Sequence, residues 1–180
     1  MVRYTRVLGA VLAVAATMNM VPNFANAAAI KEQPRTMHLE DVLPQITRAT
    51  GSFWAVNGVK RSFTVDLNTK WNGRVLTLQE DFVYDNGEKD RKTWRFTKTG
   101  ENTYQGTRED VIGETTLTIR GKVATFTYEV YLDSKKQANK VRFRDKMVLN
   151  DDGSILNTAS VWKFGFPVGR VTVNFEAPKR

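Results

Sequence analysis

A single carboxylate interrupts the apolar face of one predicted strand. Between residues 74 and 84, apolar side chains recur at every second position: Leu76, Leu78, Phe82 and Tyr84. This is the period of a β-strand with one buried face, and Glu80 occupies the same row. A carboxylate on a buried face is costly unless a charge, a hydrogen bond or a ligand meets it. The row through Glu80 is therefore the first candidate for a site.

Two further ionisable residues share rows with apolar side chains. Asp145 lies in the same row as the apolar residues of the predicted 140–149 strand, and Arg108 shares a row with Tyr104 and Gly106. With the aromatic rows facing inward, the sequence predicts a ligand-binding set of Glu80, Tyr84, Trp94, Phe96, Arg108, Tyr128, Asp145 and Trp162.

The same parity argument predicts the neighbours of the two acids. Glu80 is expected across from Trp94 or Phe96 on the next strand, because these share its face. Asp145 is expected across from Thr158 or Ser160, judging from the turn at residues 150–153.

Three kinds of chemistry fit these residues. The polar groups could simply satisfy one another inside a filled core. They could instead fix the polar head of an apolar ligand held by aromatic walls. A carboxylate with a raised pKa could also transfer protons as a general acid or base. No nucleophile-and-base pair is visible, so no catalytic residue is assigned and enzymatic activity is not the leading interpretation.

Cysteine and histidine usage excludes several classes of site. The chain has no cysteine, which rules out disulfides, thiol catalysis and cysteine metal sites, and its one histidine is His38. A histidine-based triad or metal centre therefore has almost no residues to draw on. We expect neither a metal nor a cofactor.

The elements that must position these residues are almost all strands. Alternating runs fall near 52–56, 59–69, 74–84, 91–98, 103–110, 114–120, 122–132, 140–149, 155–164 and 168–176. Short turns rich in Asn, Asp and Gly separate them, which is typical of consecutive antiparallel hairpins. The sequence predicts an all-β fold, a single antiparallel up-and-down β-barrel of about eight to ten strands.

The N-terminal region reads differently. Residues 1–27 resemble a signal peptide, with Arg3 and Arg6 before an apolar run and a small-x-small cleavage site that ends at Ala27. This predicts an exported, periplasmic protein. Residues 28–50 are expected to form a leader and a short helix that covers one end of the barrel, with Pro44 breaking the last turn, and residues 51–180 the barrel domain.

The charge of the chain bears on partners. The net charge is +8, and a row of four cations, Lys140, Arg142, Arg144 and Lys146, lies opposite the Asp145 row. Partial neutralisation by Glu129 is one interpretation of this basic ladder; a docking face for an anionic membrane surface is the other. Nucleic acid is not expected as a partner, since the aromatic residues lie mostly on the buried rows. The barrel is expected to be a monomer.

A set of spaced residues carries a family resemblance. It consists of Trp71-Asn-Gly73, the alternating row from Leu76 to Tyr84, Gly87, Arg91, Trp94, Gly113, Phe143-x-Asp145, Asn157, Lys163-Phe164-Gly165 and Val168-Gly169-x-Val171. This pattern, spread over residues 51–175, resembles the domain-of-unknown-function 3833 family of proteobacterial envelope proteins. The resemblance implies a lipocalin-like barrel and, because such genes accompany fatty-acid modification genes, a role connected with lipids. Many members look like lipoproteins, but this chain lacks the cysteine that a lipid anchor needs.

These observations lead to one hypothesis and two alternatives. The leading hypothesis is an exported barrel that binds or carries a fatty-acyl or other small hydrophobic ligand. The first alternative is a non-binding envelope accessory or stress protein that docks through its basic surface. The second is a lipid-modifying enzyme that uses a buried carboxylate. A continuous internal cavity touching Glu80 would favour the first, and a filled core the accessory protein.

Overall fold

The computed structural model describes residues 36–133 and 137–178. The predicted signal peptide and the leader up to residue 35 lie outside these residues. The described chain begins with a short helical segment and continues as ten strands.

The ten strands form one closed ring. They are β1 (Arg48–Ala55), β2 (Lys60–Trp71), β3 (Val75–Tyr84), β4 (Lys89–Gly100), β5 (Thr103–Thr107), β6 (Thr115–Arg120), β7 (Val123–Asp133), β8 (Ala138–Leu149), β9 (Ile155–Lys163) and β10 (Phe166–Phe175). Each strand pairs antiparallel with the next, and β1 closes the ring by pairing with β10. The predicted all-β up-and-down barrel is confirmed.

Two strand boundaries differ by more than two residues from the sequence-based ones. β1 begins at Arg48, a few residues earlier than predicted, because Ala49 already pairs with Phe175 on β10. β5 ends at Thr107 instead of residue 110, and the chain then leaves the sheet before Val111 forms an isolated bridge with Val130.

Consecutive antiparallel strands give the barrel two distinct ends. The β1–β2, β3–β4, β5–β6, β7–β8 and β9–β10 connections lie at one end, which we call the mouth. The other four connections lie at the opposite end, the floor. The chain enters β1 from the floor, so the segment before it must lie there too.

A helical segment closes the floor. It consists of α1 (Leu39–Val42) and one 3-10 turn (Leu43–Gln45), where Pro44 stands in the first turn because it lacks a backbone donor. Four apolar side chains in this segment or directly flanking it are buried: Met37, Leu39, Leu43 and Ile46. The short helix and its role as a cover for one end are as predicted.

Polar contacts fix the helical segment to the floor turns and strands. The backbone N–H of Met37 donates to the Gly121 carbonyl of the β6–β7 turn at 2.8 Å. Glu40 accepts a hydrogen bond from the Tyr104 hydroxyl at 2.5 Å and forms an ion pair with Lys98. These contacts satisfy the one acid of α1 that faces the barrel wall.

The strand pleat sorts side chains between the interior and the outside. On β8, Val141, Asp145, Met147 and Leu149 are buried, whereas the four cations of the basic ladder alternate with them and are exposed. The predicted inward orientation of the apolar rows is therefore confirmed. No helix among the described residues is both long enough and apolar enough to span a membrane.

The floor should contribute strongly to stability. We expect Leu43→Ala to lower the free energy of unfolding by about 2–5 kcal/mol, because it opens a cavity under a fully buried side chain. Leu156→Ala, a matched change at an exposed position on β9, should cost less than about 1 kcal/mol. Urea unfolding of both variants measures the difference, and equal losses would show that the segment does not seal the barrel.

Candidate functional site

The barrel encloses one large cavity with a volume of about 590 Å³. It extends from Leu39 and Leu43 on the helical segment to Val59 and Leu132 at the mouth. This volume falls within the range of roughly 300–1,000 Å³ that small-molecule sites occupy.

The cavity exists because the two sides of the barrel carry side chains of different size. One side is aromatic and consists of Phe63, Phe82, Tyr84, Trp94, Phe96, Phe126, Tyr128 and Phe143. Neighbouring rings pack tightly: Tyr128 stacks on Phe143 at 5.3 Å and meets Trp94 edge-on at 5.1 Å. The opposite side, formed by β9 and β10, carries the smaller Asn157, Ala159, Val171 and Val173. The small side chains leave the space that the rings do not fill.

Arg108 is the central cation of the site. Its guanidinium lies 4.7 Å from the Trp94 ring centroid and 5.2 Å from that of Tyr128. Nε and Nη2 donate to the two oxygens of Asp110 at 2.6 and 3.3 Å, a bidentate pair, and Lys92 reaches the same carboxylate at 3.1 Å. Arg108 is thus held in place by two rings and by a carboxylate of its own loop.

Glu80 faces the cavity without a partner of its own. Its neighbours in register are Leu67 on β2 and Lys92 on β4. The side chain is only 9% exposed and, among the described residues, neither donates nor accepts a side-chain hydrogen bond. Burial raises the pKa of Glu80 to about 7; Arg108 opposes this rise and Asp145 adds to it.

Asp145 is the second buried acid of the cavity wall, with 6% of its surface exposed. Asn157 donates from Nδ2 to its Oδ1 at 2.7 Å, whereas Oδ2 has no well-formed hydrogen bond within the described chain. Burial raises the pKa of Asp145 to about 6, against the lowering effects of Asn157, Arg108 and the nearby Tyr128 hydroxyl. Two carboxyl groups in one cavity therefore titrate near neutral pH.

The structure brings together nearly the whole predicted ligand-binding set. The cavity lining includes Glu80, Tyr84, Trp94, Phe96, Arg108, Tyr128 and Asp145. Whether these residues bind a ligand stays a prediction.

Trp162 is the exception, and its predicted inward position is wrong. It pairs with Arg142 across β8 and β9, so it shares the outward face of the basic ladder, where Arg144 lies 4.4 Å from its ring centroid. The rule that aromatic rows face inward fails on β9, whose inward row carries Asn157 and Ala159 instead.

The predicted neighbours of the two acids are also wrong. Trp94 pairs with Leu78, and Lys92 is the residue opposite Glu80 on β4. Asp145 lies opposite Ala159 on β9, between the outward-facing Thr158 and Ser160. In both hairpins the turn sets a register that the turn sequence alone did not reveal.

Three polar neighbours of the buried ionisable residues were absent from the predicted set: Lys92, Asp110 and Asn157. Lys92 lies two residues before Trp94 and Asp110 two residues after Arg108, so each belongs to the same inward row as its neighbour. Extending these two rows by one further position would have predicted both residues. Asn157 has the parity of Ala159 and Val161, but nothing in the sequence marks that row of β9 as the inward one.

The basic ladder is partly neutralised, as one interpretation predicted. Glu129 accepts from Arg142 at 2.8 Å and pairs with Lys140 at 3.3 Å. Arg144 has no carboxylate partner within the described part of the chain and packs on Trp162 instead. Across residues 36–133 and 137–178, no group of three or more His, Asp or Glu side chains could hold a metal ion.

Replacing the Glu80 carboxyl with an amide should reveal the cost of its burial. A folded pKa of about 7 against an unfolded value of 4.5 means that the folded state binds the proton more tightly. The resulting destabilisation is absent below about pH 4.5, develops as the pH rises, and is complete above pH 7. We therefore expect Glu80→Gln to stabilise the protein by about 1–3 kcal/mol at pH 8 and by less than about 1 kcal/mol near pH 4.

Urea titrations of wild type and Glu80→Gln at both pH values measure this difference. Glu101→Gln, in the exposed β4–β5 turn, is the matched control and should change stability little at either pH. A Glu80→Gln effect that does not depend on pH would contradict the burial of an ionisable carboxyl at this position.

Comparison with known proteins identifies a family. Among solved structures, that of a redesigned β-barrel, mFAP1, bound to DFHBI is similar at 9% sequence identity and a TM-score of 0.38, covering 78% of this chain and 99% of the other. A similarity at this level says nothing about what this chain binds. No curated protein matches the sequence. The family described as protein of unknown function (DUF3833) matches residues 18–177, almost the whole chain. The chain therefore belongs to the DUF3833 family.

Proposed function

We propose that this barrel binds and carries a fatty-acyl or other small hydrophobic ligand. The observation that supports the proposal is the cavity of about 590 Å³, which is lined mainly by apolar side chains and reaches Glu80. A binding protein needs such a volume, whereas an accessory protein that acts only through its surface needs none.

The shape of the cavity supports a ligand with one polar group. Below the level of Glu80, towards the floor, the lining is apolar and includes Leu39, Leu43 and Phe175. Ionisable residues line the middle and the mouth, among them Arg108 and Lys92. A long apolar molecule therefore fits with its tail towards the helical segment and its polar end near the middle or the mouth.

Filling the cavity should abolish binding. Val171 and Thr172 are consecutive on β10, and only Val171 lines the cavity. We expect Val171→Phe to weaken uptake of the uncharged fluorescent probe N-phenyl-1-naphthylamine by about tenfold or more, because the ring occupies the ligand volume, and Thr172→Phe to change it by less than about twofold. Fluorescence titration gives the affinities, and thermal melts check that both variants fold.

Native mass spectrometry of protein purified from its host provides the direct observation. A bound mass lost on organic extraction is the expected result. An apo mass together with no uptake of N-phenyl-1-naphthylamine by wild type would refute the carrier function.

We further propose that the mouth docks on an anionic membrane surface in the periplasm, where the ligand enters or leaves. Most of the large exposed apolar side chains lie at the mouth: Trp54, Val56, Val59, Ile112, Leu132, Phe164 and Phe166. We call them the mouth rim. Phe164 and Phe166, in and beside the β9–β10 turn, are 88% and 72% exposed. Phe164 also adopts a positive φ of 52°, which is unfavourable for an aromatic residue. Its exposed ring makes no contact in the core that would offset this cost.

Charges next to the mouth rim fit an anionic surface. Lys163, Arg170 and Arg144 lie on the outer wall of β8–β10 and form no ion pair within the described chain. Exposed aromatic side chains beside unpaired cations are the pattern of proteins that lie at a membrane interface, where each basic residue contributes about 1 kcal/mol.

Flotation with phosphatidylglycerol-containing vesicles tests the docking. We expect Phe164→Ser with Phe166→Ser to lower vesicle partitioning by about tenfold, since each ring loses over 1 kcal/mol of apolar burial. The matched control, Leu156→Ser, changes an exposed apolar residue near the floor end of β9 and should partition like wild type.

Two tryptophans report the orientation on the vesicle. Trp54 lies at the mouth, near the end of β1, and Trp71 at the floor, at the end of β2. Trp162, beside the β9–β10 turn, is first replaced by Phe. In that background brominated phospholipids should quench Trp54, so Trp54→Phe removes most of the quenching and Trp71→Phe retains it. Absence of vesicle binding, or equal losses in the rim variant and its control, would rule out docking through the mouth.

A further inference from the structure

Each cation that lines the cavity in the described chain is already paired. Arg61 forms an ion pair with Glu88 at 3.0 Å, at the mouth. Lys92 lies between Asp90 and Asp110 at 3.2 and 3.1 Å. Arg108 shares Asp110 with it at 2.6 Å and is further held between two aromatic rings. An anionic ligand would have to compete with a carboxylate of the protein for each of these cations.

Two carboxyl groups of the cavity are left without a cation partner in the described chain. Glu80 and Asp145 form no ion pair within the described chain, and the charge of Asp145 helps to raise the pKa of Glu80. Asp145 Oδ2, beside the Tyr128 hydroxyl, and Asn157 Oδ1 are in addition buried acceptors with no well-formed hydrogen bond within the described chain. The amide orientation of Asn157 follows from its contact, because Nδ2 must point at the Asp145 carboxylate. Within the described chain, the middle of the cavity therefore has hydrogen-bond acceptors that are not fully satisfied and no unpaired cation.

We propose that the cavity selects an amphiphile whose polar end donates hydrogen bonds, a hydroxyl, an amide N–H or an ammonium group, over one that ends in a free carboxylate. Glu80 accepts from this group, because it is nine-tenths buried, lines the cavity and has no hydrogen bond within the described chain. This inference rests on the proposed ligand-binding function and narrows the ligand to long-chain alcohols, fatty amides or alkyl amines.

The electrostatic reason is that burial amplifies charge interactions. In a site from which water is largely excluded, like charges repel far more strongly than on the surface, so a carboxylate head beside Glu80 and Asp145 is strongly disfavoured. A donor head meets the opposite situation, since each buried acceptor that gains a hydrogen bond recovers part of its desolvation cost. The apolar tail contributes equally in both cases.

Ligands that share one apolar tail and differ only in the head group show, in a competition experiment, what the head group contributes to affinity. The purified protein is loaded with the apolar dye N-phenyl-1-naphthylamine at pH 8, and dodecylamine, dodecanol and dodecanoate are titrated in. We expect dodecylamine and dodecanol to displace the dye at concentrations about tenfold or more below that of dodecanoate. Controls below micelle-forming concentrations exclude simple extraction of the dye.

Glu80→Gln tests the residue assigned to the head group. The amide keeps the shape of the side chain and removes its charge, so it should fold at least as well as wild type. We expect the preference for dodecylamine over dodecanoate to fall about tenfold, with dodecanol changing by less than threefold. Glu101→Gln, the acid outside the cavity, should leave all three unchanged.

The outcomes separate this inference from the proposed function. If the dye binds and dodecanoate competes as well as the other two ligands, the barrel is a carrier but the donor-head selectivity is wrong. If Glu80→Gln leaves the preference for dodecylamine over dodecanoate unchanged, Glu80 is not the acceptor and the inference is wrong. If neither the dye nor any of the three ligands binds, the carrier function itself is refuted.

Discussion

Closure of ten antiparallel strands into a ring forces each strand to place alternate side chains inside a single enclosed space. No edge strand remains unpaired, so backbone hydrogen bonds are satisfied all round the wall. The cost of this arrangement is that each inward position must be filled, paired or left facing a cavity. Because β9 and β10 contribute small inward residues opposite an aromatic wall, the barrel retains a volume of about 590 Å³.

The interior charges follow from that enclosure. Arg108 can remain charged because Asp110 binds it and because Trp94 and Tyr128 cover its faces. With Lys92 also engaged by Asp110, nothing remains to neutralise Glu80 and Asp145 fully, and burial raises the pKa of each. The polarity of the cavity is therefore set by the pairing of its cations more than by the number of its acids.

The two ends of the barrel differ for a topological reason. An even number of up-and-down strands places five connections at the mouth and four at the floor, together with the chain that enters β1. That entering chain carries Leu39 and Leu43 into the barrel and closes it. The mouth has no equivalent cover among the described residues, and its turns instead carry exposed rings such as Phe164 and Phe166. The described chain thus closes the cavity at the floor.

The sequence by itself determined the strands, the closed all-β architecture, the floor helix and the burial of Glu80 and Asp145, because residue parity along one strand is a local property. Seven of the eight predicted cavity residues have the expected orientation for the same reason. Only the tertiary structure decided that Trp162 faces outward, that Lys92 lies opposite Glu80 and that Asn157 meets Asp145. Those facts depend on strand register and on distances across the barrel, which are fixed by turn geometry and ring closure and leave no periodic signal in any single strand.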